Sequence, residues 1–334
     1  MTAETGKPFD LIALGEPLLR LSPPGKCQLR RAASLDIHPA GAQFNVACNL
    51  ARLGKRAALL TKLPDNPLGD LMLDACRANG LDASLIKRVP KGKMGVTYVE
   101  FSASPRAPIA VFDRAGSAAS GMQPTDYDWD DLMSRTRCAY TDGIFPGLAP
   151  NCFEAALAFL SAARRNGCLI CFDVNYREHL WTPREARDAW RKLLPHVDVM
   201  VTNRGVSEGV FGYQGSDESL MRRFADEFGC RAVTFTHREI HNLDHGAWIA
   251  QVWAEGKLHA GRRMEFDIVD RYGTGDAYFA GFIYGYLERD AAFGVDFGTA
   301  MCALAHTLMG DVAHLKPEDV LAIMGENVDL RVKR

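Results

Sequence analysis

The sequence predicts an α/β protein built on a mostly parallel β-sheet, and three observations carry that reading. Short apolar runs of strand character alternate along the chain with segments whose apolar residues recur at helical spacing. At 334 residues, 47% of them hydrophobic and 24% charged, the chain can fill a sizeable core and does not have a disordered composition. A polar cluster, Asp173-Val-Asn175-Tyr-Arg177, follows directly on the apolar run Cys168-Leu-Ile-Cys171-Phe172. The carboxyl ends of buried strands are where open parallel sheets place their ligands.

Taken in order, Phe9 to Leu14 reads as a first strand ended by Gly15. No G-x-G-x-x-G follows it, so a dinucleotide-binding opening is disfavoured. The stretch Glu16 to Pro39 lacks helical periodicity and predicts short strands or loops. Ala40-Gly41-Ala42-Gln43-Phe44-Asn45 opens a helix predicted to run to about Leu53, with Gly54 ending it. A strand is predicted at Ala57 to Lys62, then a helix from Gly69 to Asn79 closed by Gly80. Gly95 to Ser102 and Ile109 to Phe112 alternate as two strands. Arg137 to Asp142 predicts a strand, Asn151 to Asn166 an alanine-rich helix, and Val197 to Thr202 and Ala232 to Thr236 further strands. Residues 237–246 read as a solvated loop. Glu265 to Asp270 predicts a strand leading into a helix after Asp276, Phe297 to Met309 an apolar helix, and the stretch from Glu318 a short capping helix.

Composition excludes several function classes. The formal net charge is −2 with no long run of one sign, which argues against a dedicated nucleic-acid or membrane-surface protein. No apolar run reaches transmembrane length and the first residues lack a signal-peptide core, so a cytoplasmic enzyme is the default. The nine cysteines show no framework spacing. Cys168 and Cys171 form a C-x-x-C, but on a strand they point to opposite faces, so reduced buried thiols are expected rather than a redox or zinc pair. His241 and His245, with Asp244, have no helical pattern around them and no fourth ligand; no metal site is predicted there.

The chemistry concentrates at Gly273-Thr274-Gly275-Asp276. Two glycines let the backbone gather N–H groups into one concavity at a helix N-terminus, which suits an anion. Asp276, in the first helical turn, can take the proton of an attacking hydroxyl while the N–H groups stabilise a phosphate in transfer. From these four residues alone, a plain glycine-rich turn is an equal alternative.

The longer stretch Asp270 to Gly281 resembles the C-terminal signature of the ribokinase-like, phosphofructokinase-B-type carbohydrate kinases. In that family the residue at Asp276 is the catalytic base, and the turn corresponding to Gly273–Gly275 is the anion hole for the γ-phosphate. The stretch around Gly41 and Asn45 is similar to the family's N-terminal signature, whose glycine and asparagine contact the sugar; Ala40 replaces the usual first glycine. Asp173-x-Asn175-x-Arg177-x-x-Leu180-Trp181 closely resembles a run found in the 2-keto-3-deoxygluconate kinases, as does Phe112-Asp113-Arg114. In those enzymes arginines at the positions of Arg114 and Arg177 meet the sugar acid. Thr236-x-Arg238-Glu239-x-His241 and the run from His306 to Asp311 are similar to the same subgroup.

The resemblance implies a ribokinase-like three-layer α/β/α fold over residues 1–334 as one domain. Its mostly parallel central sheet would carry a small β-sheet lid, made from segments at roughly 16–40 and 93–115. It implies ATP-dependent phosphorylation of the terminal primary hydroxyl of 2-keto-3-deoxygluconate. Gly41, Asn45, Arg114, Asp173, Asn175 and Arg177 would hold the acceptor, and Asn203, Thr236, Arg238 and His306 would lie at the nucleotide. ATP and Mg²⁺ are the implied cofactors. The expected partners are a sugar acid, ATP and a further copy of the chain in a homo-oligomer, with neither nucleic acid nor membrane. Two departures stand out. Val206 occupies the position where the family commonly has a glutamate that organises Mg²⁺, and no Gly-x-x-Gly loop follows Thr236. They motivate a second reading, a catalytically silent sugar-binding member, which the retained Asp276 opposes. A fructokinase or other sugar kinase is the alternative if Arg114 and Arg177 do not converge on one carboxylate. A dehydrogenase is a distant third.

Overall fold

The structure, a computed structural model, describes residues 6–325. Strand β1 (Phe9–Leu14) leads into β2 (Leu18–Ser22), β3 (Asp36–Ala40), helix α1 (Ala42–Arg52), β4 (Ala57–Leu60), β5 (Lys62–Pro64), α2 (Pro67–Ala78) and β6 (Lys87–Val89). Next come β7 (Gly95–Glu100), β8 (Ile109–Asp113), α3 (Trp129–Ser134), β9 (Thr136–Asp142), α4 (Pro150–Arg165), β10 (Leu169–Asp173) and α5 (Pro183–Leu193). They are followed by β11 (Val199–Thr202), α6 (Arg204–Gly209), α7 (Asp217–Phe228), β12 (Ala232–Ile240), β13 (His245–Ala254), β14 (Lys257–Ala260) and β15 (Met264–Asp267). The last three helices are α8 (Thr274–Glu288), α9 (Ala291–His306) and α10 (Pro317–Met324).

The main sheet has nine strands in the order β14-β13-β12-β11-β10-β9-β1-β4, with β15 also on β13. From β4 to β12 every neighbouring pair is parallel, and β13, β14 and β15 extend the sheet antiparallel. Along β1 the side chains alternate between two cores, because successive residues of a strand point to opposite faces. Ile12 and Leu14 pack with α3, α4, α5 and α7, whereas Leu11 and Ala13 pack with α1, α2, α8 and α9. This is the expected three-layer α/β/α arrangement with a mostly parallel sheet. A separate four-stranded sheet, in the order β3-β2-β7-β8, covers one end of it and is the expected lid. Its β2–β3 and β7–β8 pairs are antiparallel and its β2–β7 pair is parallel.

Several local expectations change. The stretch 237–246 forms the end of β12, a short turn and the start of β13, so a hairpin stands where the sequence suggested a loop. The apolar helix begins at Ala291, not Phe297, because Asp290 caps it by accepting from the Phe293 N–H at 2.8 Å, and it ends at His306. The strand before the glycine turn is the antiparallel β15, which stops at Asp267. Cys168 and Cys171 sit in opposite cores, and all nine thiols are free. Among the described residues no helix is long and apolar enough to cross a membrane, and no group of three or more His, Cys, Asp or Glu could hold a metal ion.

Candidate functional site

The chain leaves β1 toward the lid and α1, on one face of the sheet, and leaves β9 through α4, on the other. The adjacent carboxyl ends of β1 and β9 therefore open a crevice at the point where the topology switches direction. A cavity of about 520 Å³ lies there, lined by Gly41, Asn45, Arg114, Asn175, Arg177, Gly273 and Asp276 among others. It continues past Asn175 and Arg177 into a groove of about 470 Å³ that reaches Asp173, Asn203, Thr236, Arg238 and Gly275. Beyond Arg238 and Trp248 a further groove of about 650 Å³ runs along His237, Ile249 and Gln251 to Arg204 and Asp217. Of the fourteen residues singled out from the sequence, twelve line this path.

The two that do not are Thr274 and His306. Thr274 is fully buried, and its hydroxyl donates to the Arg271 carbonyl at 3.0 Å while accepting from Arg238 at 2.8 Å. Its contribution to the turn is its backbone. His306 was expected at the nucleotide, but it is wholly buried in the last turn of α9. Its ring stacks on Phe266 at 3.9 Å and its Nδ1 lies 2.8 Å from the Cys302 carbonyl. Burial holds its pKa down at about 4, so it is a neutral packing histidine.

Helix α8 starts at the middle of the path. Gly273 is its N-cap with φ +71°, and a Cβ there would lie 2.0 Å from the Asp311 carbonyl oxygen, so only glycine fits. The first N–H groups of α8 have no partner inside the helix. Gly275 has no atom within 4 Å of where a Cβ would stand, so the turn meets the groove with bare backbone. Asp276 follows in the first turn, and its Oδ2 accepts from Asn45 Nδ2 at 2.7 Å. Burial pushes its pKa up to about 6, against the opposing pull of that hydrogen bond and of Arg177. Such a carboxylate is ionised at neutral pH yet basic enough to accept a proton.

On the opposite wall, the end of β10 turns sharply. Asn175 takes φ +37°, its N–H bonds Asp173 Oδ1 at 2.9 Å, and its amide reaches Asp142 Oδ2 at 3.3 Å. Trp181 anchors the following residues by donating from Nε1 to the Gly143 carbonyl at 2.9 Å. The Leu-Trp part of that motif thus holds the Arg177 loop in place. Arg177 itself is exposed; its carbonyl accepts from the Leu180 and Trp181 N–H groups, but its side chain makes no hydrogen bond or ion pair among the described residues. Arg114 differs: Glu16, itself buried, accepts from its Nε at 2.7 Å and from its Nη2. Both arginines face the same cavity, but only Arg177 makes no ion pair among the described residues, its charge acting on Asp276 and Asp173 from further off.

At the far end of the path, Asn203 caps α6 by accepting from the Val206 N–H at 3.0 Å. Val206 is buried, and Glu208 is taken by Arg204 at 2.9 Å. Arg238 projects from β12, mostly buried, 5.3 Å from the Trp248 ring, with no carboxylate partner among the described residues. Burial without a counterion pulls its pKa down. A desolvated guanidinium beside an open groove favours an anion as the missing partner.

Sequence reasoning missed Glu16, Asp142 and Asp311. Asp142 ends β9, is fully buried, and caps the next turn by accepting from the Ile144 and Phe145 N–H groups at 2.9 and 3.1 Å. Burial lifts its pKa to about 6. It also accepts from Gln43 of α1, which ties the two sides of the crevice together. Asp142 at a strand end was a legible signal; Glu16, 98 residues from Arg114, was not.

Residues 10–316 match the model of the pfkB family of carbohydrate kinases. The chain is 33% identical over 326 residues to a 2-dehydro-3-deoxygalactonokinase of Haloferax volcanii, covering 97% of each. It is 29% identical over 309 residues to a 2-dehydro-3-deoxygluconokinase of Thermoproteus tenax, covering 91% of this chain and 90% of that one. Its fold superimposes on the crystal structure of 2-dehydro-3-deoxygluconokinase from Thermotoga maritima with a TM-score of 0.90 at 32% identity, covering 94% and 97% of the two chains. With a family match along nearly its whole length, and a relative 33% identical over 97% of each chain, the chain belongs to the pfkB family of carbohydrate kinases.

Proposed function

We propose that this protein transfers the γ-phosphoryl group of ATP to the terminal primary hydroxyl of a 2-keto-3-deoxy aldonic acid. The observation that carries the substrate class is Arg177, an exposed guanidinium in the sugar cavity that makes no side-chain hydrogen bond or ion pair among the described residues, beside Arg114 whose charge Glu16 already balances. A neutral sugar would leave that charge unmatched as the lid closes over it, whereas a carboxylate makes a charge-assisted bond to it. The names of the relatives from Haloferax and Thermotoga support the same class. The sequence-based argument that two unpaired arginines converge on the acid needs correction, since Arg114 keeps only one terminal nitrogen free of Glu16.

Asp276 is the base and Asn45 orients it. Gly41 permits the close approach of α1 to the lid, since a Cβ there would lie 2.5 Å from the Glu16 carbonyl oxygen. The N–H groups from Gly273 to Gly275 receive the transferred phosphoryl group, and Arg238 meets the nucleotide's phosphates from the other side of the turn. Mg²⁺, when bound, would enter with the triphosphate and offset its charge. The protein offers it little beyond Asp173, the carboxylate lining the groove beside the turn, because Val206 is apolar and Glu208 is engaged by Arg204. Burial and the neighbouring Asp142 and Asp276 charges raise the Asp173 pKa well above its usual value, so an arriving cation would lower it.

The test is ATP consumption by the purified protein against 2-keto-3-deoxygluconate, its galactonate epimer, fructose and ribose. A kcat/KM for either acid at least tenfold above that for fructose is expected. Equal use of fructose and the acids would leave only a generic sugar kinase, and no ATP consumption with any acceptor would favour the silent sugar-binding reading.

A further inference from the structure

Arg20, in the middle of lid strand β2, is one of the largest fully buried side chains of the molecule, and nothing in the phosphoryl-transfer chemistry above uses it. It points from the lid into the body of the kinase. Its Nη1 and Nη2 donate to Asp270 at 3.2 and 2.7 Å, and its Nε lies 2.8 Å from Asp311 Oδ2, off the hydrogen-bond direction. The guanidinium also lies 5.1 Å from the Tyr272 ring and 5.5 Å from the Phe101 ring.

What surrounds this ion cluster gives it a task. The Asp270 carboxylate accepts from the Tyr272 N–H at 3.0 Å and the Gly310 N–H at 3.1 Å. Tyr272 directly precedes Gly273, the left-handed residue that begins the phosphate turn. Gly310 directly precedes Asp311, whose backbone carbonyl is the wall against which Gly273 is pressed. The two segments that fix the turn are therefore held through one carboxylate, and that carboxylate is held by Arg20. Asp311 in turn lines the sugar cavity.

We propose that Arg20 is a positioning residue for phosphoryl transfer: from the lid it locks residues 270–273 and 310–311 together, so that the Gly273–Gly275 N–H groups are aimed at the groove. The inference rests on the reading of that turn as the phosphate-holding element. Without Arg20, two carboxylates lie close together in a buried site with no cation between them, and the segments they belong to would move apart. The Asp270–Tyr272 bond sits immediately before the turn, so a small displacement there carries straight into the direction of its N–H groups. Substrate cavities would persist, because neither Asn45 nor Arg177 nor Arg238 touches the cluster.

Three variants test this. Arg20→Lys keeps the charge without the planar fork. Arg20→Met with Asp270→Asn removes the cation and the anion it bonds twice, leaving Asp311, whose carboxyl burial already raises to about 7, free to stay protonated, so that folding is not compromised. Arg20→Gly leaves a space that added guanidinium ion at millimolar concentration can fill. For Arg20→Lys and the double variant, kcat is expected to fall roughly 10²-fold, the order of magnitude of losing one oxyanion donor. KM for ATP and for the acid should stay within about threefold of wild type, on the same reasoning that the loss is confined to the transition state. Guanidinium should restore part of the activity of Arg20→Gly. In the double variant, hydrogen exchange of Tyr272, Gly310 and the first amides of α8 should quicken while the sheet amides stay protected. A kcat within threefold of wild type in the double variant, or KM rising with kcat unchanged, or exchange quickening throughout the chain, would overturn the proposal. Should the wild type phosphorylate no acid at all, the substrate reading fails by itself, and the local exchange pattern still decides the role of Arg20.

Discussion

Replacing Asp276 with asparagine separates catalysis from stability in opposite directions. The asparagine keeps the shape, and its Oδ1 can still accept from Asn45, which lies 2.7 Å from the present carboxylate. What disappears is the base. Loss of a general base costs ~10²–10⁴-fold in turnover, so kcat should fall by at least two orders of magnitude with KM for the acid little changed. Stability should move the other way. Burial raises the Asp276 pKa from 3.8 to about 6. A group whose folded pKa lies above its unfolded one stabilises the fold fully below the unfolded pKa, and that contribution is lost as pH rises through the folded pKa. Relative to low pH, keeping Asp276 ionised therefore costs the folded state at pH 7 at most about 3 kcal/mol, taking ~1.4 kcal/mol per pKa unit. Asp276→Asn removes that cost, so at pH 7 it should melt a few degrees higher than wild type, an advantage that shrinks as pH falls from about 6 to about 4 and is nearly gone below that. The wild-type kcat should fall about tenfold per pH unit below pH 6 as the base is protonated, and the variant should lack this limb. Turnover numbers, pH profiles and melting curves of the two proteins decide it. A variant retaining more than a tenth of wild-type turnover would refute the base assignment, and one markedly less stable at pH 7 would refute the account of burial.

Arg177→Lys should raise KM for the sugar acid about tenfold or more, because an ammonium cannot reproduce the planar fork, and should alter the weak use of fructose much less; equal effects on both acceptors would remove Arg177 from carboxylate recognition. Arg238→Met should raise KM for ATP by an order of magnitude while leaving that for the acid alone, since Arg238 lies in the nucleotide grooves and not in the sugar cavity; unchanged nucleotide affinity by calorimetry would contradict its role. Gly273→Ala forces a Cβ to 2.0 Å from the Asp311 carbonyl at φ +71°. It should destabilise the protein by well over the ~1–2 kcal/mol of the backbone conformation alone and abolish turnover, and a denaturant midpoint matching wild type would show that the turn can yield.

What was legible in the sequence follows from how local its causes are. The Gly273–Asp276 turn and the Asp173–Arg177 run announce themselves because backbone conformation and strand-end polarity are encoded within a few residues. Helices α5 and α7 also carried local signals that were passed over: Thr182 and Glu185 form a reciprocal capping box, and the Ser216 side chain accepts from the Ser219 N–H. The strand β13 was readable too, since from Ala250 to Ala254 buried and half-buried residues alternate along it. The pairing of Arg114 with Glu16 was not readable, because nothing near either residue names the other. The same holds for Arg20 with Asp270, 250 residues apart. His306 was misplaced because a histidine at a helix C-terminus fits a purine contact and a packed ring equally well until the sheet behind it, here Phe266, is known.

These long-range pairs also explain how one crevice can hold two chemically different ends. The proposed sugar cavity contains Glu16, Glu178, Asp276 and Asp311 alongside Arg114 and Arg177, while the proposed nucleotide groove contains Arg204 and Arg238 with Asp217, and Arg204 is already bound to Asp217 at 2.6 Å. Once the internal ion pairs are set aside, each end retains one guanidinium that bonds no carboxylate among the described residues, Arg177 on one side of the α8 N-terminus, with its field on Asp276 and Asp173, and Arg238 on the other. Two anions are thereby drawn in from opposite directions toward the same bare turn. The cavity on the Arg177 side reaches Asp276, and the groove on the Arg238 side reaches its neighbour Gly275. On the proposed reading, an acceptor whose carboxylate sits at Arg177 has its far end, the terminal hydroxyl, free to reach Asp276 in the same cavity. In this arrangement the choice of an acid and the choice of the hydroxyl that is phosphorylated are set by the same contact.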